Sequence, residues 1–176
     1  EIKPFFHFHP GTTAYTFSTW SCNFDCPWCQ NYHLSKVKPP RNTWFREPVR
    51  MVEMAEVLGD EGVCASFQEP TLLFESLLEI FPKAKDKGLY TCIVSNGYFT
   101  GEALRLMVEA GLQGVKIDVK GGREAVKRYC GGVDVDYVWR NAREALDMGC
   151  HVEIVNLLVT GVSDDEDSIL EVIEKH

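Results

Sequence analysis

Three cysteines in one short segment are the residues of this sequence best suited to chemistry. Cys22, Cys26 and Cys29 follow a Cys-x3-Cys-x2-Cys spacing within residues 19–31. One chemistry for them is a Cys3His zinc site that includes His33, although zinc loops usually draw paired ligands from two knuckles. A second is a thioredoxin-like redox pair of Cys26 and Cys29. The third, which the spacing favours, is a [4Fe–4S] cluster with three thiolate-bound irons and a fourth iron open to an exogenous ligand.

The other cysteines and the overall composition indicate the environment of this site. Cys64, Cys92 and Cys150 lie in or beside apolar stretches, where a thiol usually serves as a small buried hydrophobic group. Seven cysteines, an odd number, and an aromatic N-terminal segment interrupted by charged residues and histidines argue against a secreted disulfide scaffold. With 45% hydrophobic and 25% charged residues in 176 positions, the sequence predicts one globular, cytoplasmic domain.

The charge distribution bears on binding partners. A net charge of −8 disfavours nonspecific binding to nucleic acid or to anionic membranes. No apolar run approaches the ~18–20 residues that a membrane helix needs. Residues 36–50 nevertheless hold five basic side chains and one acidic side chain. This stretch is either a solvated loop or a docking surface for an acidic partner or an anionic cofactor.

Short β-branched runs alternate with amphipathic segments along the chain and predict a βα repeat that positions the cysteine loop. A first strand near residues 13–18 precedes the cysteine loop, and glycine follows three of the predicted helices where a left-handed residue ends a helix. The spacing of Ser163 and Glu166 predicts a capping box for the last helix. Further strands are predicted near residues 63–67, 90–95, 114–119 and 151–159, and helices near 48–58, 71–87, 100–110, 136–148 and 164–175.

These elements make five βα units, and helical crossovers require parallel strands. An eight-fold barrel needs ~250 residues, so we expect an α/β fold of partial barrel type with about five units and a truncated sixth. Residues 1–176 are expected to form a single core domain that is incomplete at its C-terminal end. Residues 1–12 are expected to be an extension before the first strand.

The cysteine spacing, with Trp28 before the third cysteine, resembles the radical S-adenosylmethionine (SAM) superfamily. Residues 66–70, Ser-Phe-Gln-Glu-Pro, resemble a Gly-Gly-Glu-Pro-like segment of that family, although Phe67 and Gln68 replace the glycines. Residues 94–97 and 118–120 resemble Thr-Asn-Gly and Asp-Leu-Lys segments of enzymes that activate pyruvate formate-lyase. The stretches 3–12, 26–31 and 130–132 resemble radical enzymes of the AmmeMemoRadiSam system.

The resemblance implies roles for the polar residues that follow the predicted strands, because functional residues of a βα barrel gather at those strand ends. Glu69 is implied to accept a hydrogen bond from the amino group of SAM. The remaining implied contacts to the cofactor or to substrate come from Trp28, Asn96, Asp118, Lys120 and Asn156. Each has a simpler alternative: Glu69 as a helix N-terminal charge, Asn96 as a turn residue, Asp118 and Lys120 as a salt bridge, and Asn156 as a buried hydrogen-bonding group.

The resemblance implies an enzyme that cleaves SAM reductively with a [4Fe–4S] cluster and abstracts hydrogen from substrate with the resulting 5′-deoxyadenosyl radical. The implied substrate is a protein, as for a glycyl-radical activase, or alternatively a small molecule or RNA. The implied electron donor is flavodoxin or ferredoxin, and neither a membrane nor nucleic acid is an expected partner. The alternative from another class is a zinc-binding interaction module built on Cys22, Cys26, Cys29 and His33.

Overall fold

The computed structural model describes residues 5–41 and 46–175 and contains one five-stranded parallel sheet in this part of the chain. The strands follow one another in the sheet in chain order, and each pairs in parallel with the next. Their carboxyl ends therefore share one edge, which is where a site in this architecture forms. The strands are β1 Ala14–Phe17, β2 Gly62–Ala65, β3 Tyr90–Ser95, β4 Gly114–Val119 and β5 His151–Asn156.

Helical crossovers connect the strands and account for the parallel pairing. The α4 helix begins after Thr100, whose side chain accepts from the backbone N–H of Ala103, and ends at Gly111, whose φ is 116°. Similar glycines with positive φ follow α3 and α6. The helices are α1 Tyr32–Ser35, α2 Pro48–Leu58, α3 Phe74–Asp86, α4 Gly101–Ala110, α5 Arg123–Tyr129, α6 Val135–Asp147 and α7 Glu166–Lys175, with a 3-10 helix over Pro70–Leu73.

The partial barrel of five parallel units is confirmed, while several boundaries are corrected. The last strand ends at Asn156 rather than at residue 159, and the short helices α1 and α5 were not predicted. The predicted capping box is wrong, because Asp165 accepts from the backbone N–H of Ser168 at 2.9 Å. Ser163 is instead buried and accepts from the backbone N–H of Val159 at 3.1 Å, so it stabilises the preceding loop.

The two faces of the sheet have different environments. Alternate residues of β2, β3 and β4 pack in the main core against the helices, among them Val63, Ile93 and Ile117, which are at most 1% exposed. The intervening residues face the inside of the partial barrel, where Cys64 and Cys92 pack in a smaller cluster. Period-two alternation thus divides each strand between the helix layer and the interior.

The N-terminal segment fills the lower part of the barrel interior. The carboxylate of Glu153 on β5 is buried and accepts from the backbone N–H groups of Phe6, His7 and Phe8 at 2.8, 2.8 and 3.2 Å. Burial opposes ionisation, but these donors outweigh it and hold the pKa of Glu153 below its ordinary value. A Cβ at Gly114 would lie 2.9 Å from the Phe8 ring, so glycine there makes room for this segment.

Two predictions extend beyond the described residues. Residues 1–4 of the predicted N-terminal extension lie outside them, as do residues 42–45 of the basic stretch. Within residues 5–41 and 46–175, no helix combines the length and apolar character of a membrane-spanning segment.

Candidate functional site

A cavity of about 440 Å³ opens at the carboxyl ends of the strands. Its walls come from the cysteine loop and from residues at or near the ends of all five strands. The strand order brings these segments together although they are far apart in sequence. Of the nine predicted site residues, eight line this cavity, namely Cys22, Cys26, Trp28, Cys29, Glu69, Asn96, Asp118 and Lys120.

Asn156, the ninth, is not among the residues that line the cavity. It pairs in register with Val119, which packs in the helix-side core, whereas the adjacent Val155 pairs with Asp118 and reaches the cavity. The Asn156 Oδ1 atom is buried and has no hydrogen-bond partner within the described part of the chain. The alternation of the strand therefore places this amide on the helix-facing side.

The cysteine loop is held by contacts to its own backbone and to α1. The backbone N–H of Cys29 donates to the Cys26 carbonyl at 3.3 Å, and the Cys29 Sγ lies 3.1 Å from the Ser35 Oγ. The Cys22 Sγ accepts from the backbone N–H of Phe24 at 3.4 Å. Trp28 packs edge-on against Tyr129, with ring centroids 5.8 Å apart. The three thiols thus line one cavity from a structured loop.

The spacing of the thiols bears on the metal that they can hold. Among residues 5–41 and 46–175, no three His, Cys, Asp or Glu side chains converge closely enough to hold a single metal ion. His33 is exposed and is not among the residues lining the cavity, so the Cys3His zinc site is not assembled. A [4Fe–4S] cluster takes each thiolate on a different iron, and three cysteine side chains that line one cavity without converging on one ion fit that group.

Cys22 and Cys26 have different electrostatic environments. A hydrogen bond from Cys130 lowers the pKa of Cys26 to about 7, which favours the thiolate that a metal requires. Burial raises the pKa of Cys22 above its ordinary value. The Cys26 Sγ lies 3.5 Å from the Cys130 Sγ, so Cys26 has a sulfur partner outside the Cys26–Cys29 pair that a thioredoxin-like site would use.

Glu69 is fully buried at the end of β2 and joins two strand ends. Its Oε1 accepts from the backbone N–H and the hydroxyl of Thr71 at 3.1 and 2.8 Å. Its Oε2 accepts from the backbone N–H of Asn96 at 3.0 Å, and the Ser95 hydroxyl lies 2.9 Å from both oxygens. Burial raises the pKa of Glu69, and these donors act in the opposite direction. Four donors thus occupy the four acceptor positions of the carboxylate.

Asn96 connects this carboxylate to the cysteine loop. Its Nδ2 donates to the Asn23 Oδ1 at 2.7 Å and lies 3.8 Å from the Cys22 Sγ. Its Oδ1 accepts from the backbone N–H of Tyr98 at 2.9 Å. Because both ends of the amide are engaged, Asn96 holds the cysteine loop against the end of β3.

Phe67 and Gln68 stand where the family pattern has glycines, and the structure accounts for each of these two differences. Phe67 has a φ of 74°, in the left-handed region where glycine is favoured, so this chain keeps a glycine-like backbone with a larger side chain. The Gln68 Oε1 accepts from the backbone N–H of Thr19 at 3.1 Å and from the Ser18 hydroxyl. Gln68 therefore holds the start of the cysteine loop through these two hydrogen bonds.

Asp118 and Lys120 form the salt bridge that was the simpler alternative, at 2.5 Å, and both also line the cavity. The second carboxylate oxygen of Asp118 is buried and has no partner among the residues that the structure describes. The pair therefore leaves one buried acceptor unpaired at the end of β4.

Several cavity or support residues were missed by sequence reasoning. Gln68 and Ser95 lie within the family-like segments 66–70 and 94–97 but were given no role there, and Lys116 is two residues before Asp118 on the same face of β4. Cys130 is 104 positions from Cys26, and only the fold brings the two together. The alternation of side chains along β4, which puts Lys116 on the same face as Asp118, was the one sequence signal that would have predicted Lys116 at the cavity.

Sequence comparison gives one family and one curated relative. The model described as the Radical SAM superfamily matches residues 18–174. An uncharacterized protein of Methanocaldococcus jannaschii is 32% identical over 176 residues. That alignment covers 98% of this chain and 51% of the relative, so the chain spans about half the length of the relative.

Comparison of structures gives the same fold. Streptococcus suis SuiB bound to S-adenosylmethionine matches with a TM-score of 0.70 and 14% identity, over 93% of this chain and 38% of that chain. The structure of anSMEcpe with bound AdoMet matches at 0.67 and 20% identity, over 91% and 48%. A domain of pyruvate-formate lyase-activating enzyme from Bacteroides vulgatus matches at 0.56 and 22% identity, over 65% and 70%.

Proposed function

Since this chain belongs to the Radical SAM superfamily, we propose that Cys22, Cys26 and Cys29 hold a [4Fe–4S] cluster and that the protein cleaves S-adenosylmethionine reductively. The observation that carries this proposal is the set of three thiols around one cavity, without convergence on a single ion. Such a cluster, when reduced, supplies one electron to the sulfonium of SAM, which yields methionine and a 5′-deoxyadenosyl radical.

The protein residues have the tasks of binding and orienting the cofactor and excluding water. Trp28, Asn96, Asp118 and Lys120 are proposed cofactor or substrate contacts because they line the same cavity as the thiols. The free oxygen of Asp118 suits a ribose hydroxyl, while Lys120 suits a carboxylate. Asn156 is proposed as a structural group of the strand rather than a contact.

The experiment that tests the function uses protein reconstituted anaerobically with iron and sulfide. We expect an electron paramagnetic resonance signal of a reduced [4Fe–4S] cluster that changes when SAM is added. We also expect 5′-deoxyadenosine in the presence of dithionite, measured by liquid chromatography and mass spectrometry. Stoichiometric zinc with no uptake of a cluster would instead support the zinc-binding interaction module.

We propose that Glu69 binds the amino group of SAM by exchanging one of its present donors. All four acceptor positions of the carboxylate are occupied, and two of the donors are backbone N–H groups that cannot leave. The Thr71 hydroxyl is on a half-buried side chain that can rotate, whereas Ser95 is only 2% exposed. The ammonium group of the cofactor is therefore expected to replace the Thr71 hydroxyl.

This exchange predicts the effect of Thr71→Val, which removes the hydroxyl at similar volume. The affinity for SAM is expected to stay equal or to tighten by up to about fivefold, because one competing hydrogen bond of about 1 kcal/mol is lost. Isothermal titration of the anaerobic protein with SAM measures the dissociation constant. A weakening of more than about fivefold, beyond that same hydrogen-bond range, would mean that the hydroxyl itself contacts the cofactor.

The substrate and the electron donor are also proposals. SuiB has been solved with its precursor peptide SuiA, and this structure matches the chain with a TM-score of 0.68 and 14% identity. That likeness and the resemblance to activating enzymes favour a peptide or protein substrate. Lys36 and Lys38 are exposed beside the cysteine loop, where Lys36 pairs with Asp25 at 2.6 Å, and an acidic donor such as flavodoxin or ferredoxin is proposed to bind at this surface. The narrower resemblance to the AmmeMemoRadiSam system stays a prediction.

A further inference from the structure

The end of α5 packs directly against the cysteine loop. Tyr129 contacts the Trp28 ring edge-on, and a Cβ built on Gly131 would lie 4.0 Å from the backbone nitrogen of Asp25. Between these two contacts, Cys130 lies beside Cys26. Successive residues of this turn therefore form a continuous contact with the segment that contains the second and third cysteines.

The position of Cys130 is closely determined by its backbone. Its N–H donates to the Val126 carbonyl at 2.9 Å, so Cys130 continues the helical hydrogen bonding of α5. Gly131 and Gly132 follow with φ angles of 89° and 79°, which turn the chain away immediately after Cys130. Two successive left-handed residues favour glycine, since a side chain there is strained. This turn thus presents one thiol to the loop.

The two sulfur atoms are at hydrogen-bonding distance and are shielded from water. Cys130 Sγ and Cys26 Sγ lie 3.5 Å apart, and the two residues are 0% and 7% exposed. When Cys26 binds iron it does so as a thiolate and carries no proton. Cys130 is then the donor and Cys26 the acceptor, because a thiolate has no hydrogen to give.

A donor to a ligand sulfur affects the redox properties of a cluster. Reduction adds negative charge to the cluster and its sulfur ligands, and hydrogen bonds to those sulfurs are among the features that set the reduction potential. The stabilisation is therefore larger for the reduced state than for the oxidised state. Burial strengthens this effect, because no water competes for the acceptor.

We propose that Cys130 is a positioning residue that donates an S–H···S hydrogen bond to the Cys26 thiolate and makes the bound cluster easier to reduce. The inference rests on the proposed function, in which Cys26 holds one iron. It adds a residue outside the three-cysteine motif whose task is to adjust the potential at which the cluster accepts an electron.

The test is a redox titration of the reconstituted protein, followed by electron paramagnetic resonance, with iron and sulfide content measured in parallel. Cys130→Ala and Cys130→Val remove the donor at smaller and larger volume, and Cys130→Ser restores one. At the potential where the wild-type cluster is half reduced, we expect the ratio of reduced to oxidised cluster to fall about three- to tenfold in the Ala and Val variants. Cys130→Ser should recover most of this loss.

A matched control separates the hydrogen bond from general core packing. Cys150 is also buried, at 5% exposure, but it precedes β5 at the opposite end of the sheet and donates to the Leu112 carbonyl. Cys150→Ala is expected to leave the potential unchanged. Cluster assembly in Cys130→Ser but in neither the Ala nor the Val variant would also support the proposal, because the two failing variants share only the missing donor.

The outcomes that overturn the inference differ from those that overturn the proposed function. Equal potentials in wild type, Cys130→Ala and Cys130→Val would overturn the inference and leave the cluster assignment intact. Loss of the cluster in all three Cys130 variants would also overturn it, because the residue would then act through packing. A wild-type protein that takes up zinc and no cluster would overturn both.

Discussion

Cys29→Ala is expected to abolish cluster binding and SAM cleavage while the fold persists. Cys29 is half-buried at the margin of the main core, and its Sγ lies 3.1 Å from the Ser35 hydroxyl, so its truncation to alanine removes little packing. Two thiolates cannot hold three irons of a cluster. We expect the iron content to fall to background and 5′-deoxyadenosine formation to fall by more than about 100-fold, beyond the effect of residues that only support a ligand.

The control for this variant is a cysteine that the structure keeps away from the cavity. Cys92 is fully buried on β3 and packs in the smaller interior cluster. Cys92→Ala should retain the iron and the activity and should lower the free energy of unfolding by about 1–2 kcal/mol. Circular dichroism establishes that both variants fold. Full cluster content in Cys29→Ala would contradict the assignment of the three ligands.

The repeat of strands and helices was predictable because its signals are local. Apolar periodicity located β3, β4 and α2 at their observed bounds, and helix-ending glycines gave the ends of α3, α4 and α6 to within one residue. The short helices α1 and α5 escaped prediction since four and seven residues are too few for a periodic pattern. The error at the start of α7 had a different cause, because Ser163 and Asp165 are both good caps and only tertiary burial of Ser163 decides between them.

The residues of the candidate site could be predicted where they follow the ends of strands. They could not be predicted where their position depends on the face of a strand or on contacts between distant segments. Parallel strands in chain order bring Glu69, Asn96 and Asp118 to one edge. Asn156 does not line this cavity, since a shift of one residue along a strand reverses the face. The contact of Cys130 with Cys26 has no local signal at all, because it depends on where α5 ends.

Glu69→Gln is expected to destabilise the protein and weaken SAM binding together. Each carboxylate oxygen of Glu69 accepts from one backbone N–H, that of Thr71 on one side and that of Asn96 on the other. A glutamine places its NH2 group against one of these donors in either orientation of the amide. One buried donor is then unpaired, at a cost of about 2–3 kcal/mol in the free energy of unfolding.

The two effects of Glu69→Gln are measured separately. Urea unfolding of the protein without cofactor gives the loss of stability, and titration of the reconstituted protein with SAM gives the affinity. We expect an affinity loss of about 10- to 100-fold, because a hydrogen bond to a charged group is worth about 1.5–3 kcal/mol. The exposed Glu79 on α3 supplies the control Glu79→Gln, which should change neither quantity. Lost stability with unchanged affinity would make Glu69 a purely structural group.

The pH dependence of unfolding gives a further test of how Glu69 is held. Burial raises the pKa of this carboxyl in the folded state, so the folded protein binds the proton more tightly than the unfolded chain does. Between the ordinary and the raised pKa, the wild-type stability therefore falls as the pH rises. Glutamine does not titrate, so the stability deficit of Glu69→Gln should be largest below this interval and should narrow through it. A deficit that is constant with pH would mean that the four hydrogen-bond donors cancel the effect of burial on the Glu69 pKa. A deficit that widens as the pH rises would mean that the donors lower this pKa below its ordinary value.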